Sequence, residues 1–196
     1  MKTRYWTWLA WPLGALPLGW IVWQAASGAM GPDPAETFVK AIGWWALVLI
    51  LTCLSMRPAS QLLKVPGLVI WRRTFGLWGF IYACLHFLAW ATLLLGWDPS
   101  VLGQELTKRP YIVVGTLAWL AMWPLAATST RKARRRLGRK WTKLHKLIFV
   151  TLVLAIIHQY WVQKSGYGET VVFASVAAVL LLYRLLKDRI LVKKQP

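Results

Sequence analysis

The sequence predicts an all-α integral membrane protein, a six-transmembrane-helix bundle with both termini cytoplasmic. Two features of the composition support this fold class. Apolar residues fill 58% of the 196 positions and charged residues only 15%, whereas soluble domains have about 45–50% and about 25%. The chain is also strongly basic, because it contains 24 Lys and Arg but only 6 Asp and Glu, which gives a formal net charge of +18.

This composition excludes several other classes. Disordered chains are poor in apolar residues, and two cysteines cannot form a disulfide scaffold. A soluble nucleic-acid-binding protein could be equally basic, but so apolar a chain with 15 Trp is unsuited to water. We therefore expect contact with membrane lipid and no nucleic-acid partner.

The first two spans are predicted at Trp6–Ala26 and Phe38–Met56, since about 20 apolar residues of helix cross a bilayer. Gly31 lies between them and Pro58 follows the second, as expected for residues that break helices. The first span has the basic start of a signal peptide. Its apolar run is longer than that of a signal peptide, so we expect it to stay in the protein.

Four further spans complete the bundle, in one domain over residues 1–196. They are Phe75–Leu95, Tyr111–Thr128, Leu147–Val162 and Thr170–Leu186. Pro99 and Pro110 interrupt the chain between the first two of these, and Gly166 and Gly168 between the last two. The span that begins at Leu147 is short unless residues 144–146 extend it. No internal repeat is apparent.

The distribution of basic residues orients the bundle. With a cytoplasmic N-terminus, all but four of the 24 Lys and Arg lie in inner segments, nine of them between Arg131 and Lys146. The outer cations are Lys40, Lys108, Arg109 and Lys164. Cytoplasmic loops of membrane proteins carry such an excess, so the inner basic run indicates topology and contact with anionic lipid.

The spans contain almost no ionisable groups apart from histidines, and ionisable residues within a membrane mark functional sites by default. His86 lies 13 residues beyond Arg73 and His158 lies 12 beyond Lys146, about 18–20 Å along two parallel helices. Two imidazoles at matching depth can bind one heme iron from opposite sides, which favours electron transfer. A proton relay is the alternative, but it usually recruits intramembrane Asp or Glu.

His145 lies at the cytoplasmic end of the fifth span, 13 residues before His158 and about 20 Å lower. A histidine at this depth suits a second, inner heme. However, 13 residues at about 100° each do not bring His145 and His158 to the same face of a straight helix. A π-bulge between them could bring them to one face. Arg72 and Arg73 hold the matching level of the third span and cannot bind iron. They can pair with heme propionates or a phosphate-bearing cofactor, or simply anchor the inner side.

The remaining candidates predict no catalytic residue. Cys53 and Cys84 lie in different spans, so we expect them to pack rather than to form a redox pair. The chain has no Gly-rich phosphate loop, CxxC pair or hydrolase elbow, and we therefore expect no soluble catalytic module in this bundle.

Several segments resemble one protein family in their order and spacing over nearly the whole chain. They are GPDP at residues 31–34, RRTFGLW at 72–78, GQELTKRPY at 103–111 and LGRKWTKLH at 137–145, followed by His158. With these segments the chain resembles the MsrQ family, the heme-binding membrane subunits of the bacterial protein-methionine-sulfoxide reductase system. This family is part of a wider ferric-reductase-like transmembrane group.

The resemblance implies a b-type cytochrome of the bacterial inner membrane with heme b and FMN as cofactors. Such a subunit takes electrons from the quinol pool or a cytosolic flavin reductase. It passes them to a periplasmic molybdopterin-containing reductase that repairs methionine sulfoxide in oxidised proteins. By position, the family's heme ligands correspond to His86, His145 and His158. The inner histidine that the wider group has on the third span is missing here.

Two alternatives stay open. One is a transmembrane b cytochrome for another acceptor such as ferric iron, although a C-terminal flavin and nicotinamide domain is not evident. The other is a heme-free membrane transport or assembly protein, against which the lack of acidic residues at the midplane weighs. In the preferred interpretation the protein is an electron-transfer subunit and not the catalytic subunit.

Overall fold

The computed structural model describes residues 3–163 and 166–192, with side chains for residues 8–163 and 166–186. Lys164, one of the expected outer cations, lies outside them. The described chain is helical and contains no strand. Its helices are α1 (Thr3–Ala26), α2 (Pro34–Leu62), α3 (Leu68–Ala89), α4 (Pro99–Lys108), α5 (Pro110–Ala127), α6 (Arg131–Leu137), α7 (Arg139–Leu144), α8 (Leu147–Val162) and α9 (Gly168–Val192).

Five segments in the described chain are long and apolar enough to cross a membrane. They are Pro34–Leu62, Leu68–Leu94, Pro110–Ala127, Arg139–Val162 and Gly168–Leu186. These match the second to sixth predicted spans, so the protein is a multi-pass membrane protein. Helix α1, at the first predicted span, is 24 residues long but is not one of the five. The first span, the total of six spans and the orientation of the termini therefore stay predictions.

Two spans are longer than predicted. Helix α2 continues through Pro58 to Leu62. A proline within a helix removes one backbone hydrogen bond and crowds the preceding turn, but the turn after Pro58 closes, with the Leu63 amide donating to the Ala59 carbonyl at 2.9 Å. Helix α3 begins at Leu68, which places Arg72 inside its second turn.

A short helix that was not predicted, α4, follows the third span. One π-helical turn, Trp90–Leu94, ends that span. The Asp98 carboxylate caps α4 by accepting hydrogen bonds from the Ser100 hydroxyl at 2.7 Å and the Ser100 amide at 2.8 Å. These bonds hold the pKa of Asp98 below its usual value, and a carboxylate suits the positive end of a helix.

Helix α2 lies at the centre of the bundle. It packs most extensively against α3, while α5 packs against α8. Its Leu47, Ile50 and Leu51 are buried in one apolar cluster with residues of α5, α8 and α9, and its Ile42 belongs to a second cluster with α1 and α3. The two helix pairs that contain His86 and His158 are therefore held together through α2.

The outer faces of the bundle are apolar as well. On α9, Val172, Val176 and Val179 follow one another at helical spacing with exposed fractions of 61%, 42% and 66%. A wide exposed apolar surface is unusual for a soluble protein, and a lipid-facing helix explains it.

Candidate functional site

The structure brings His86 and His158 together. Their ring centroids are 6.2 Å apart and the ring planes are inclined by 79°. His86 lies on α3, which packs against α2, and His158 lies on α8, which packs against α5. The residues that the sequence places at matching depth are thus neighbours in space.

Each of these rings is held by a backbone carbonyl. Nδ1 of His86 lies 2.9 Å from the Val39 carbonyl oxygen, and Nδ1 of His158 lies 2.7 Å from that of Tyr111. A carbonyl only accepts hydrogen bonds, so Nδ1 of each ring carries the proton and donates it. Nε2 therefore keeps its lone pair, which is the form of histidine that binds metals.

A glycine beside each acceptor makes room for the ring. A Cβ atom at Gly43 would lie 2.8 Å from Nδ1 and Cε1 of His86, and one at Gly115 would lie 2.7 Å from Nδ1 of His158. Each glycine is four residues after its acceptor, so its own amide faces the same carbonyl in the helix. A carbonyl oxygen has two lone pairs, and the missing side chain lets the imidazole reach the second one.

These contacts reveal an internal repeat that the sequence prediction missed. Both hydrogen bonds span 47 residues, and the histidine, its acceptor and the facing glycine of α2–α3 recur in α5–α8 with each position shifted by 72. The signal is present in the sequence. Residues 43–46 and 115–118 both read GxxA, and residues 83–86 and 155–158 both read AxxH. Four identities are too few to notice without the paired hydrogen bonds.

The pair of rings fits a metal ion between them. Iron about 2 Å from each Nε2, with about 1 Å more to each ring centre, separates the centroids by roughly 6 Å, close to the observed 6.2 Å. In the described chain, no group of three or more His, Cys, Asp and Glu is placed to hold a metal ion. Two histidines therefore suit a macrocycle such as heme, which supplies the other ligands itself.

His145 forms a separate cluster at the other end of α8. Its Nε2 lies 3.0 Å from Oγ1 of Thr128, whose hydroxyl proton is donated to the Pro124 carbonyl at 2.6 Å. Thr128 therefore accepts from His145, so Nε2 of His145 carries the proton. Trp141 stacks on the ring at 3.9 Å between centroids and donates its indole N–H to the Thr128 carbonyl at 2.9 Å. His145 thus has the opposite tautomer from the other two histidines.

The helix around His145 is broken rather than straight. His145 and Lys146 form a turn between α7 and α8, and the Phe149 amide donates to the Lys146 carbonyl three residues earlier. Residues 145–158 contain no π-bulge, so the two histidines are not brought to one helix face in that way. The π-turn of the described chain lies at Trp90–Leu94 instead.

The two arginines and the two cysteines singled out in the sequence lie apart from the histidine pair or beside it. Arg72 is half-buried and its charge acts on both Cys53 and His145, while Arg73 is exposed. Cys53 is buried and Cys84 is half-buried, and both are free thiols. The indole N–H of Trp119 donates to Sγ of Cys84 at 3.3 Å, which agrees with a packing role for this cysteine.

Comparison with known proteins identifies the class of membrane protein to which this fold and histidine pair belong. Residues 39–156 match the family described as the ferric reductase like transmembrane component. The chain is also 35% identical, over 182 residues, to the protein-methionine-sulfoxide reductase heme-binding subunit MsrQ of Caulobacter vibrioides, a match that covers 92% of this chain and 87% of the relative. The chain belongs to the MsrQ family.

Proposed function

We propose that this protein is a b-type cytochrome subunit of the bacterial inner membrane. It carries electrons from the quinol pool or a cytosolic flavin reductase to a periplasmic molybdopterin-containing methionine-sulfoxide reductase. The observation that carries the proposal is the facing pair His86 and His158, with each Nδ1 held by a carbonyl. The relative's description as a heme-binding subunit supports it.

In this proposal His86 and His158 would hold a heme b through Nε2. A heme held by these two residues would supply one-electron transfer. The carbonyls of Val39 and Tyr111 fix the orientation of the rings and make them more basic ligands. The surrounding apolar helices keep water away from the site. Its place in the outer half of the bundle brings the electron towards the periplasmic partner.

His145 is proposed for a second cofactor site on the cytoplasmic side, as an inner heme ligand or beside the FMN or quinone. Ligation through Nε2 requires the hydrogen bond to Thr128 to break first, whereas Nδ1 is not engaged by that bond. A second axial ligand is missing from the third span, where Arg72 lies close to His145. The site at His86 and His158 therefore has stronger structural support than the site at His145.

The test is heme content per chain in the purified protein. We expect a reducible b-type spectrum that the variants His86→Ala and His158→Ala lose, since one axial ligand holds the heme much less tightly. Cys84→Ala on the same helix as His86 is the control, because this free thiol packs against Trp119 and is not a proposed ligand. Full heme content in both His86→Ala and His158→Ala would show that the ligands are wrong, and a colourless wild-type protein would favour a heme-free transport or assembly role.

The acceptor is tested separately. Membranes that contain the protein should transfer electrons to a co-expressed periplasmic molybdopterin reductase when a quinol or a flavin reductase is supplied, and His158→Ala should abolish the transfer. Rapid reduction of ferric chelates without any effect on that partner would support the alternative of a cytochrome for ferric iron.

A further inference from the structure

A cavity between α2, α3, α8 and α9 lies far from the histidine pair. Its charged lining residues are Arg57, Arg72 and Arg184, and it is a cleft that opens to the outside on one side. Arg72 lies 14 residues before His86 on α3, which is about 20 Å along a helix. The cavity is therefore at the end of the bundle that the basic residues assign to the cytoplasm.

The lining of this cavity is strongly positive. The three guanidinium groups are all half-buried, and no carboxylate belongs to the described lining. Asp188 follows Arg184 by one helical turn on α9, outside the residues whose side chains are described. Even an ion pair between Asp188 and Arg184 would leave two more guanidinium groups than carboxylates.

Apolar side chains form the rest of the wall. Leu54, Phe149 and Leu180 line the cavity next to the arginines, and the guanidinium carbon of Arg184 lies 5.9 Å from the centroid of the Phe149 ring. Confining three like charges beside apolar groups is unfavourable unless an anion offsets them. The lining therefore suits a ligand with an anionic head and an apolar body.

We propose that this cavity binds a phosphate group that is joined to an apolar or aromatic body. Guanidinium groups bind phosphate oxygens in pairs of parallel hydrogen bonds, and basic pockets between transmembrane helices on the cytoplasmic side bind anionic lipid head groups. The same chemistry fits two sources, an anionic phospholipid of the inner leaflet and the phosphate of a flavin mononucleotide. The residues that hold the phosphate are Arg57, Arg72 and Arg184 in both cases.

The experiment compares two double variants that lose the same charge on the same side. Arg57→Gln/Arg184→Gln removes two cavity arginines and keeps Arg72, which also faces Cys53 and His145. Arg131→Gln/Arg135→Gln removes two exposed arginines of α6 outside the cavity. Each protein is purified in detergent, and bound phospholipid and bound flavin are measured per chain by lipid phosphorus and by fluorescence after extraction.

Thermal stability then measures binding of named probes. Short-chain phosphatidylglycerol is compared with phosphatidylcholine, and flavin mononucleotide with riboflavin, which has no phosphate. We expect the cavity variant to bind one of the two anionic probes at least about tenfold more weakly than the control variant does. A loss confined to phosphatidylglycerol assigns the lipid source, and a loss confined to flavin mononucleotide assigns the flavin source.

Equal binding of both anionic probes by the two double variants would overturn the proposal, as would the absence of both ligands from the wild type. If the double cavity variant does not fold, Arg184→Gln against Arg131→Gln makes the same comparison. These readouts do not depend on heme, so a failure here is distinct from a failure of the proposed electron transfer.

Discussion

A Cβ atom at Gly115 would lie 2.7 Å from Nδ1 of His158, and the same close approach recurs at 2.8 Å between Gly43 and His86. Real Cβ atoms do not come so close to another atom. The two glycines therefore act as positioning residues for the histidine rings, and they do so through the space that they leave empty.

Replacing either glycine by alanine should disturb the histidine that it faces. Overpacking of this kind costs roughly 1–3 kcal/mol, which corresponds to a loss of heme affinity of about fivefold to about a hundredfold. Loss of the hydrogen bond to the carbonyl should also raise the reduction potential, because the imidazole becomes a less basic ligand. Heme titration and redox potentiometry of Gly43→Ala and Gly115→Ala measure both effects.

Gly19→Ala is the matched control for these variants, since nothing lies within 4 Å of a Cβ atom at Gly19. It should retain wild-type heme affinity and potential. Unchanged affinity and potential in Gly43→Ala and Gly115→Ala as well would contradict the positioning role.

Removing His145 should spare the heme held by His86 and His158. The two sites are separate clusters, and the hydrogen bonds of the pair do not involve His145. A pyridine hemochrome assay of His145→Ala should therefore give at least one heme per chain. A fall from two hemes to one would assign an inner heme to His145, and a complete loss of heme would show that the two sites are not independent.

Breaking the hydrogen bond between Tyr82 and Gly14 should loosen α1. The Tyr82 side chain is fully buried, and its hydroxyl donates to the Gly14 carbonyl at 2.9 Å. Tyr82→Phe should lower the free energy of unfolding by about 1 kcal/mol, as thermal denaturation in detergent can measure.

Trp78 occupies the space at Gly14 and would meet a Cβ atom there at 2.2 Å, so Gly14→Ala should lower the free energy of unfolding further than Tyr82→Phe does. Gly19→Ala on the same helix should not destabilise the protein, and equal stability of all three variants would mean that α1 is not docked in this way.

The orientation of the bundle can be tested by labelling single cysteines. In a background with Cys53→Ser and Cys84→Ala, Gln104→Cys on α4 should react with an impermeant maleimide in intact spheroplasts. Lys140→Cys on α7 should react only after the membrane is opened, since the basic residues place α7 in the cytoplasm. Both positions are exposed, so accessibility within the fold does not bias the comparison. The reverse pattern would show that the topology is inverted.

The sequence by itself determined the class of protein, the position of most spans and the matching depth of His86 and His158. These properties depend on hydropathy, charge and helical rise, which are summed along the chain and need no knowledge of how helices pack. The segment matches and the histidines also sufficed to indicate the family.

Only the tertiary structure decided what holds the histidines. The acceptors at Val39 and Tyr111 are backbone carbonyls, which every residue carries, so no residue type marks them in a sequence. The space at Gly43 and Gly115 has meaning only once α3 and α8 lie against α2 and α5. The turn at His145 and the meeting of Arg57, Arg72 and Arg184 likewise arise from the packing of helices that are distant in the chain, which local periodicity does not encode.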